Sequence, residues 1–184
     1  MRRHASRFAA LALALLAFAS AWAAETGVQA KSAAPGVWVV QGEAAMGSAA
    51  NRNFISNAGF VVTDDGVVVI DALGSPALAE ALIAQIRRVM PLPIRHVIVT
   101  HYHADHIYGL QAFKAAGANI MAHASGRDYI NSDTARLRLE ASRQALFPWI
   151  DDKTRVVSAD RWLDREETSL RVRSEEHTSE LQSQ

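Results

Sequence analysis

The chain has 184 residues, 49% of them hydrophobic, with 19 acidic and 19 basic side chains and no cysteine. This composition suits one globular domain and offers no basic surface on which nucleic acid would dock. The lack of cysteine excludes a disulfide framework, a thiolate metal site and a lipid-anchored N-terminus, so any metal site must use nitrogen and oxygen donors.

The first segment, "MRRHASRFAALALALLAFASAWAAETG", carries Arg2, Arg3 and Arg7 ahead of an apolar run from Phe8 to about Ser20, then Ala21-Trp22-Ala23. A basic start, a short apolar run and a small-x-small site predict a secretory signal peptide over residues 1–23, cut after Ala23. The apolar run is shorter than the roughly 20 residues that a membrane-spanning helix needs. The expectation is a periplasmic or secreted protein with no stable membrane anchor after cleavage.

Strand signals open the domain. "VWVV" from Val37 is a short β-branched strand, and "GFVVT" and "GVVVID" are two more, joined as a hairpin through Asp64-Asp65-Gly66. "SPALAEALIAQIRRVM" then places Leu78, Leu82, Ile83, Ile86 and Met90 at helical spacing, with Ser75 as N-cap and Pro76 at the first helical position. "PLPIRHVIVT" predicts a loop and a buried strand ending at Thr100. "HADHIYGLQAFKAAGA" predicts one helix running to Gly117, for which Asp105 is a suitable N-cap, and "NIMAH" a further strand. From Ser125 to Ile150 the pattern is helical and polar, with Phe147 and Trp149 near its end, and "TRVVSADRWLDREETSLRV" returns to strand and loop. Strands alternating with helices after an opening hairpin argue an α/β fold with crossover connections. The last stretch, "RSEEHTSELQSQ" at 173–184, has neither turn chemistry nor apolar periodicity and resembles a translated sequencing adapter. It is set aside as a non-native tail, His177 with it, which leaves residues 24–172 as the domain.

The densest chemistry is "THYHADHIYG", residues 100–109. Residues two apart in an extended segment point the same way, so His101 and His103 can reach one ion together. Asp105 and His106 follow where the loop turns into the helix and can face a second ion beside the first. All four sit just past the end of a buried strand, where α/β folds place ligand sites. Three imidazoles and a carboxylate in that position point to a metal. Gly109 is expected to let the helix pack closely or its backbone approach a neighbour. His96, inside a strand, reads as half-buried structure. His123, at the end of another, reads as a residue of the site's rim and not as a ligand.

"HYHADH" resembles the H-x-H-x-D-H motif of the metallo-β-lactamase superfamily, and "NAGFVVTDDGVVVIDAL" looks like that family's opening hairpin, with Asp71 at its strand-end aspartate. The resemblance covers roughly residues 36–172. It implies an α/β fold of the αββα sandwich type, here the N-terminal half with the C-terminal half missing, and a hydrolase holding one or two zinc ions. By the same resemblance His101 and His103 bind the first metal, and Asp105 and His106 the second. Asp105 also orients the attacking hydroxide, while Asp71 steadies the loop through hydrogen bonds without touching metal. The family's later histidine, bridging aspartate and last histidine are expected beyond Val172, so the chain is expected to be an incomplete and inactive fragment.

The implied function is exported, zinc-dependent hydrolysis of a small-molecule substrate at a carbonyl-type centre. A metal with an open coordination position lowers the pKa of its water toward ~7 and polarises the carbonyl under attack. The same motif leaves open a class B β-lactamase, a glyoxalase-type thioesterase and an iron-dependent persulfide dioxygenase. Neutral imidazoles and a carboxylate suit iron as well as zinc.

Overall fold

Seven strands form one sheet in chain order: β1 (Lys31–Ala34), β2 (Val37–Val40), β3 (Ala58–Thr63), β4 (Gly66–Ile70), β5 (Ile94–Val99), β6 (Asn119–His123) and β7 (Arg161–Leu163). The structure is a computed structural model that describes residues 27–164 and Leu170; the expected signal peptide and the adapter-like tail lie outside the described residues. Strands β1 to β4 pair antiparallel, and β4 to β7 run parallel. Between them lie α1 (Pro76–Val89), α2 (Ala104–Ile107), α3 (Leu110–Ala115), α4 (Gly126–Ile130) and α5 (Asp133–Ala145). The fold is the expected mixed α/β class. Among the described residues there is one sheet, without the second sheet of a sandwich.

The β3–β4 hairpin closes at the Thr63↔Gly66 pair, with Asp64 and Asp65 in the turn and the Thr63 hydroxyl donating to the Gly66 carbonyl at 2.8 Å. One face of the sheet is the core. Phe60, Val69, Val97 and Ile120 stand in register across β3 to β6 and are fully buried. On the other face Ile70 and Ile98 are only half-buried, and Val39 is 44% exposed. The strand missed by pattern is β1, whose "KSAA" has no apolar alternation and is exposed throughout. It exists through its ladder with β2.

Helix α1 starts as expected, with the Ser75 hydroxyl accepting from the Leu78 amide at 3.3 Å and Pro76 at the first position. Leu78, Leu82, Ile83 and Ile86 are buried, while Met90 is the C-cap and only half-covered. Four buried aliphatic side chains contribute roughly 2 kcal/mol each against about 1 kcal/mol for the cap. The apolar stripe therefore holds the helix, and Ser75 sets where it begins.

The single helix expected after the histidine motif is broken in two. In a continuous helix the Gly109 amide would bond the Asp105 carbonyl. Instead the Gly109 amide donates to the Leu73 carbonyl at 3.2 Å, and the Asp105 carbonyl accepts from the Ser56 hydroxyl. The Ala72 amide likewise donates to the His106 carbonyl at 2.9 Å. Tertiary hydrogen bonds thus replace helical ones and weld the motif to the β4–α1 loop. The N-cap is His103, not Asp105, which lies in the first turn of α2.

Gly109 makes that weld possible, since a Cβ there would stand 1.9 Å from the Ala72 carbonyl oxygen and 2.6 Å from the Ala79 Cβ. Gly109→Ala should lower unfolding free energy by about 3 kcal/mol through overpacking. Gly117→Ala, at φ +87° with nothing within 4 Å, should cost only about 1 kcal/mol of backbone strain. Urea unfolding of both variants checks this; equal losses would contradict the close-packing reading of Gly109.

Candidate metal centre

Parallel pairing of β4, β5 and β6 brings their C-terminal ends to one edge of the sheet. Asp71 follows β4, the motif from Thr100 to His106 follows β5, and His123 ends β6. The sequence motif and the more distant Asp71 therefore meet in space, as the resemblance implies.

Asp71 is the hub. Its side chain is 6% exposed and accepts three hydrogen bonds: from the Thr100 amide at 2.8 Å, the Thr100 hydroxyl at 2.7 Å and His106 Nδ1 at 2.8 Å. A carboxylate only accepts, so the single Thr100 hydroxyl proton goes to Asp71. The Thr100 oxygen, 2.9 Å from His101 Nδ1, must then accept from that ring. One carboxylate thus sets two tautomers. His106 carries its proton on Nδ1 directly, His101 carries its own on Nδ1 through Thr100, and each turns Nε2 outward.

What those nitrogens face is informative. His101 Nε2 lies 3.1 Å from His103 Nδ1, and His106 Nε2 lies 3.4 Å from an Asp105 carboxylate oxygen. Two donors bound tetrahedrally to one zinc at ~2.0–2.1 Å stand about 3.3 Å apart. Both pairs are close to that separation, and the His101 and His106 ring centroids are 4.1 Å apart, so the pairs are neighbours. Among the described residues no three His, Asp or Glu side chains are grouped so as to hold one ion. The arrangement is two donor pairs side by side, and a nitrogen or oxygen lone pair facing another is relieved by a shared proton or a cation. The donor set fits a divalent cation on this chemistry.

The electrostatics separate the two histidines that Asp71 orients: His101 is favoured neutral, His106 protonated. Burial, followed by the positive charges of His106 and His103, pushes His101 below the ordinary histidine value and favours its neutral, metal-competent form. Burial also opposes charge on His106. There the hydrogen bond to Asp71 and the charges of Asp71 and Asp105 outweigh it and hold the imidazole above its ordinary value.

Tyr102, between the two exposed histidines, turns the other way. It is buried against Trp162 at 5.9 Å and Tyr129 at 6.4 Å between ring centroids, and burial pushes its hydroxyl up to about 12. His96 is half-buried in β5 and far along the strand from the site, as expected. Phe147 is 65% exposed, and Trp149 donates from Nε1 to the Ala49 carbonyl at 2.8 Å, fastening the loop before β3.

Two open cavities flank the motif. One, of about 460 Å³, is lined by Thr100, His101, His103, His123, Ser125 and Tyr129 among others. The other, of about 330 Å³, is lined by Asp105 together with Met46, Asn53, Arg138, Ser142 and Leu146. Sequence reasoning missed Thr100, Ser125 and Arg138. Thr100 alone had a signal, as the hydroxyl residue directly before the motif at a strand end.

A family model described as the metallo-beta-lactamase superfamily matches residues 51–178. The linear primary-alkylsulfatase of Pseudomonas sp. (strain ATCC 19151) is 33% identical over 49 residues, 27% of this chain and 9% of that protein. A metallo-beta-lactamase from Pontibacter korlensis superposes with a TM-score of 0.54 at 19% identity, over 79% of this chain and 56% of the other. The metallo-beta-lactamase FIM-1 from Pseudomonas aeruginosa, in a mono-zinc form, gives 0.52 at 18% identity, over 74% and 50%. The chain therefore spans about half the length of the solved structures it resembles, and at these identities the likeness is one of fold.

Asp71→Asn keeps the shape of the hub but replaces one acceptor oxygen with a donor. It should cost about 2 kcal/mol of stability, the scale of a charge-assisted hydrogen bond. It should also drop the titration of His106 below the ordinary histidine value, because burial then acts with little to oppose it. NMR titration of the imidazole resonances in metal-free protein reads this; an unchanged His106 would contradict Asp71 as the hub.

Proposed function

Because the chain belongs to the metallo-beta-lactamase superfamily, we propose that its working form is a zinc-dependent hydrolase, with His101, His103, Asp105 and His106 as metal donors. The observation that carries this is the Asp71 hub, which anchors Nδ1 of His101 and His106 and turns Nε2 of each toward a further donor at metal-ligand separation. Zinc bound there supplies a Lewis acid that acidifies water and polarises a carbonyl-type centre.

The chain's own residues do the rest. His101 and His103 hold one position through Nε2 and Nδ1, and Asp105 with His106 borders the neighbouring one. The Asp105 carboxylate accepts a hydrogen bond from the attacking water and orients it. Asp71 keeps His101 and His106 in the tautomer that donates, the role that carboxylates play behind metal-bound histidines. The cavities on either side give a small-molecule substrate its approach. Two donors per position fall short of the three protein ligands of a catalytic zinc site. The complete site therefore draws donors from outside the described residues, and the four present hold zinc weakly.

Export rests on the N-terminal segment, whose basic start, apolar run and Ala21-Trp22-Ala23 fit a signal peptide leading to the periplasm or beyond. A second substrate reading, a sulfate ester, is favoured by the 33% identity to an alkylsulfatase over 49 residues. Assaying an alkyl sulfate beside a β-lactam and a thioester, with a protein that carries the complete donor set, separates the two.

Zinc titration against a chromogenic chelator tests the metal reading. The 184-residue protein should bind zinc reversibly and lose it readily to chelator. His103→Ala should weaken binding by more than about 100-fold, and Tyr102→Phe by no more than about twofold. Equal effects of the two substitutions, or zinc affinity unaffected by His103→Ala, would overturn this assignment.

A further inference from the structure

His123 differs from the motif histidines in its tautomer. Its Nδ1 lies 3.2 Å from the Ser125 backbone amide, which can only donate, and 2.8 Å from the Ser125 hydroxyl. Nδ1 must therefore present a lone pair, and the ring proton sits on Nε2. That is the reverse of His101 and His106, whose protons are fixed on Nδ1. A metal at His123 Nε2 would need the proton moved to Nδ1, where it would confront the Ser125 N–H. His123 is thus locked as an N–H donor by its own turn.

Its location gives that donor a use. The β5–β6 register pairs Val99 with Ala122, so the next residues, Thr100 and His123, lie side by side at the edge of the sheet. His123 is exposed and lines the same cavity of about 460 Å³ as His101 and His103. Nε2 has no hydrogen-bond partner among the described residues. We propose that His123 is a substrate-contacting donor, whose Nε2–H binds an acceptor oxygen of the substrate, a carbonyl or an oxyanion, beside the metal donors. This rests on the reading of His101 and His103 as one metal position, because that is what makes the cavity the place where substrate reacts. A fixed donor there orients the substrate and holds negative charge as it develops, the role of an oxyanion-binding group. Ser125 is the positioning residue that keeps the proton on Nε2.

Long-range proton–nitrogen NMR of the imidazoles tests this, first in metal-free protein, then with acetate as a probe for an acceptor oxygen, then with zinc. Nε2–H of His123 should be present from the start, shift on acetate addition and remain protonated when zinc is added. His123→Ala should weaken acetate binding about tenfold, the scale of one hydrogen bond to a charged group. His123→Gln, whose side-chain amide places an N–H near the same point, should restore most of it, and Ser125→Ala, which keeps the backbone amide that donates to Nδ1, should leave the proton on Nε2. Loss of the Nε2 proton on zinc addition would make His123 a ligand and overturn the proposal, as would acetate binding that ignores His123→Ala. Failure of the metal reading is distinct: His101 and His103 would not respond to zinc, while the acetate result still decides the role of His123.

Discussion

One buried carboxylate organises this end of the molecule. Asp71 accepts from the Thr100 amide, the Thr100 hydroxyl and His106 Nδ1, and through them it sets which nitrogens of two histidines face outward. Without that acceptor the histidines would choose tautomers freely and their lone pairs would have no common direction. Asp71 occupies the left-handed region at φ 61°, and Leu73 follows at φ 64°. Such a conformation costs a non-glycine residue about 1–2 kcal/mol. Bonds from the Asp71 amide to the Ile98 carbonyl, the Ala72 amide to His106 and the Gly109 amide to Leu73 offset it. The strained loop and the broken helix are two sides of one contact.

The same contact rests on the rigid part of the scaffold. A rigid parallel sheet holds Asp71 and Thr100 at adjacent strand ends, so the hub depends on the best-buried part of the chain, around Val69 and Val97. His101 and His103, by contrast, are exposed, while His106 is half-buried. Burial therefore serves positioning, and the side chains of His101 and His103 stay accessible. Separate cavities flank the motif, the one on the Asp105 side with Arg138 at its wall and the one on the His101 side with His123.

Much of this was legible in the sequence. The Asp64-Asp65-Gly66 turn and the Ser75-Pro76 helix start each follow from a local rule and stand where that rule puts them, and the strand expected to end at Thr100 ends one residue earlier, at Val99. What could not be read was tertiary. Strand β1 has no apolar alternation because only its backbone is used, in the ladder with β2. The break at Gly109 arises because Leu73 and Ser56 take hydrogen bonds that local propensity assigns to the helix. Asp105 looked like a cap and lies inside the first turn, since the extended backbone ends at His103. The tautomers of His101, His106 and His123 depend on Thr100, Asp71 and Ser125 as placed in space, which no spacing encodes.

The central claim is that the Asp71 hub presents His101 Nε2 and His103 Nδ1 as paired donors to one ion. An anomalous difference map at the zinc absorption edge, from crystals grown with zinc, tests it most directly. The result predicted is a zinc peak ~2.0–2.1 Å from both of those atoms, with Asp71 still bonded to Thr100 and His106 behind them. A zinc peak away from this pair, or imidazoles flipped so that Nδ1 of His101 faces the ion, would contradict it.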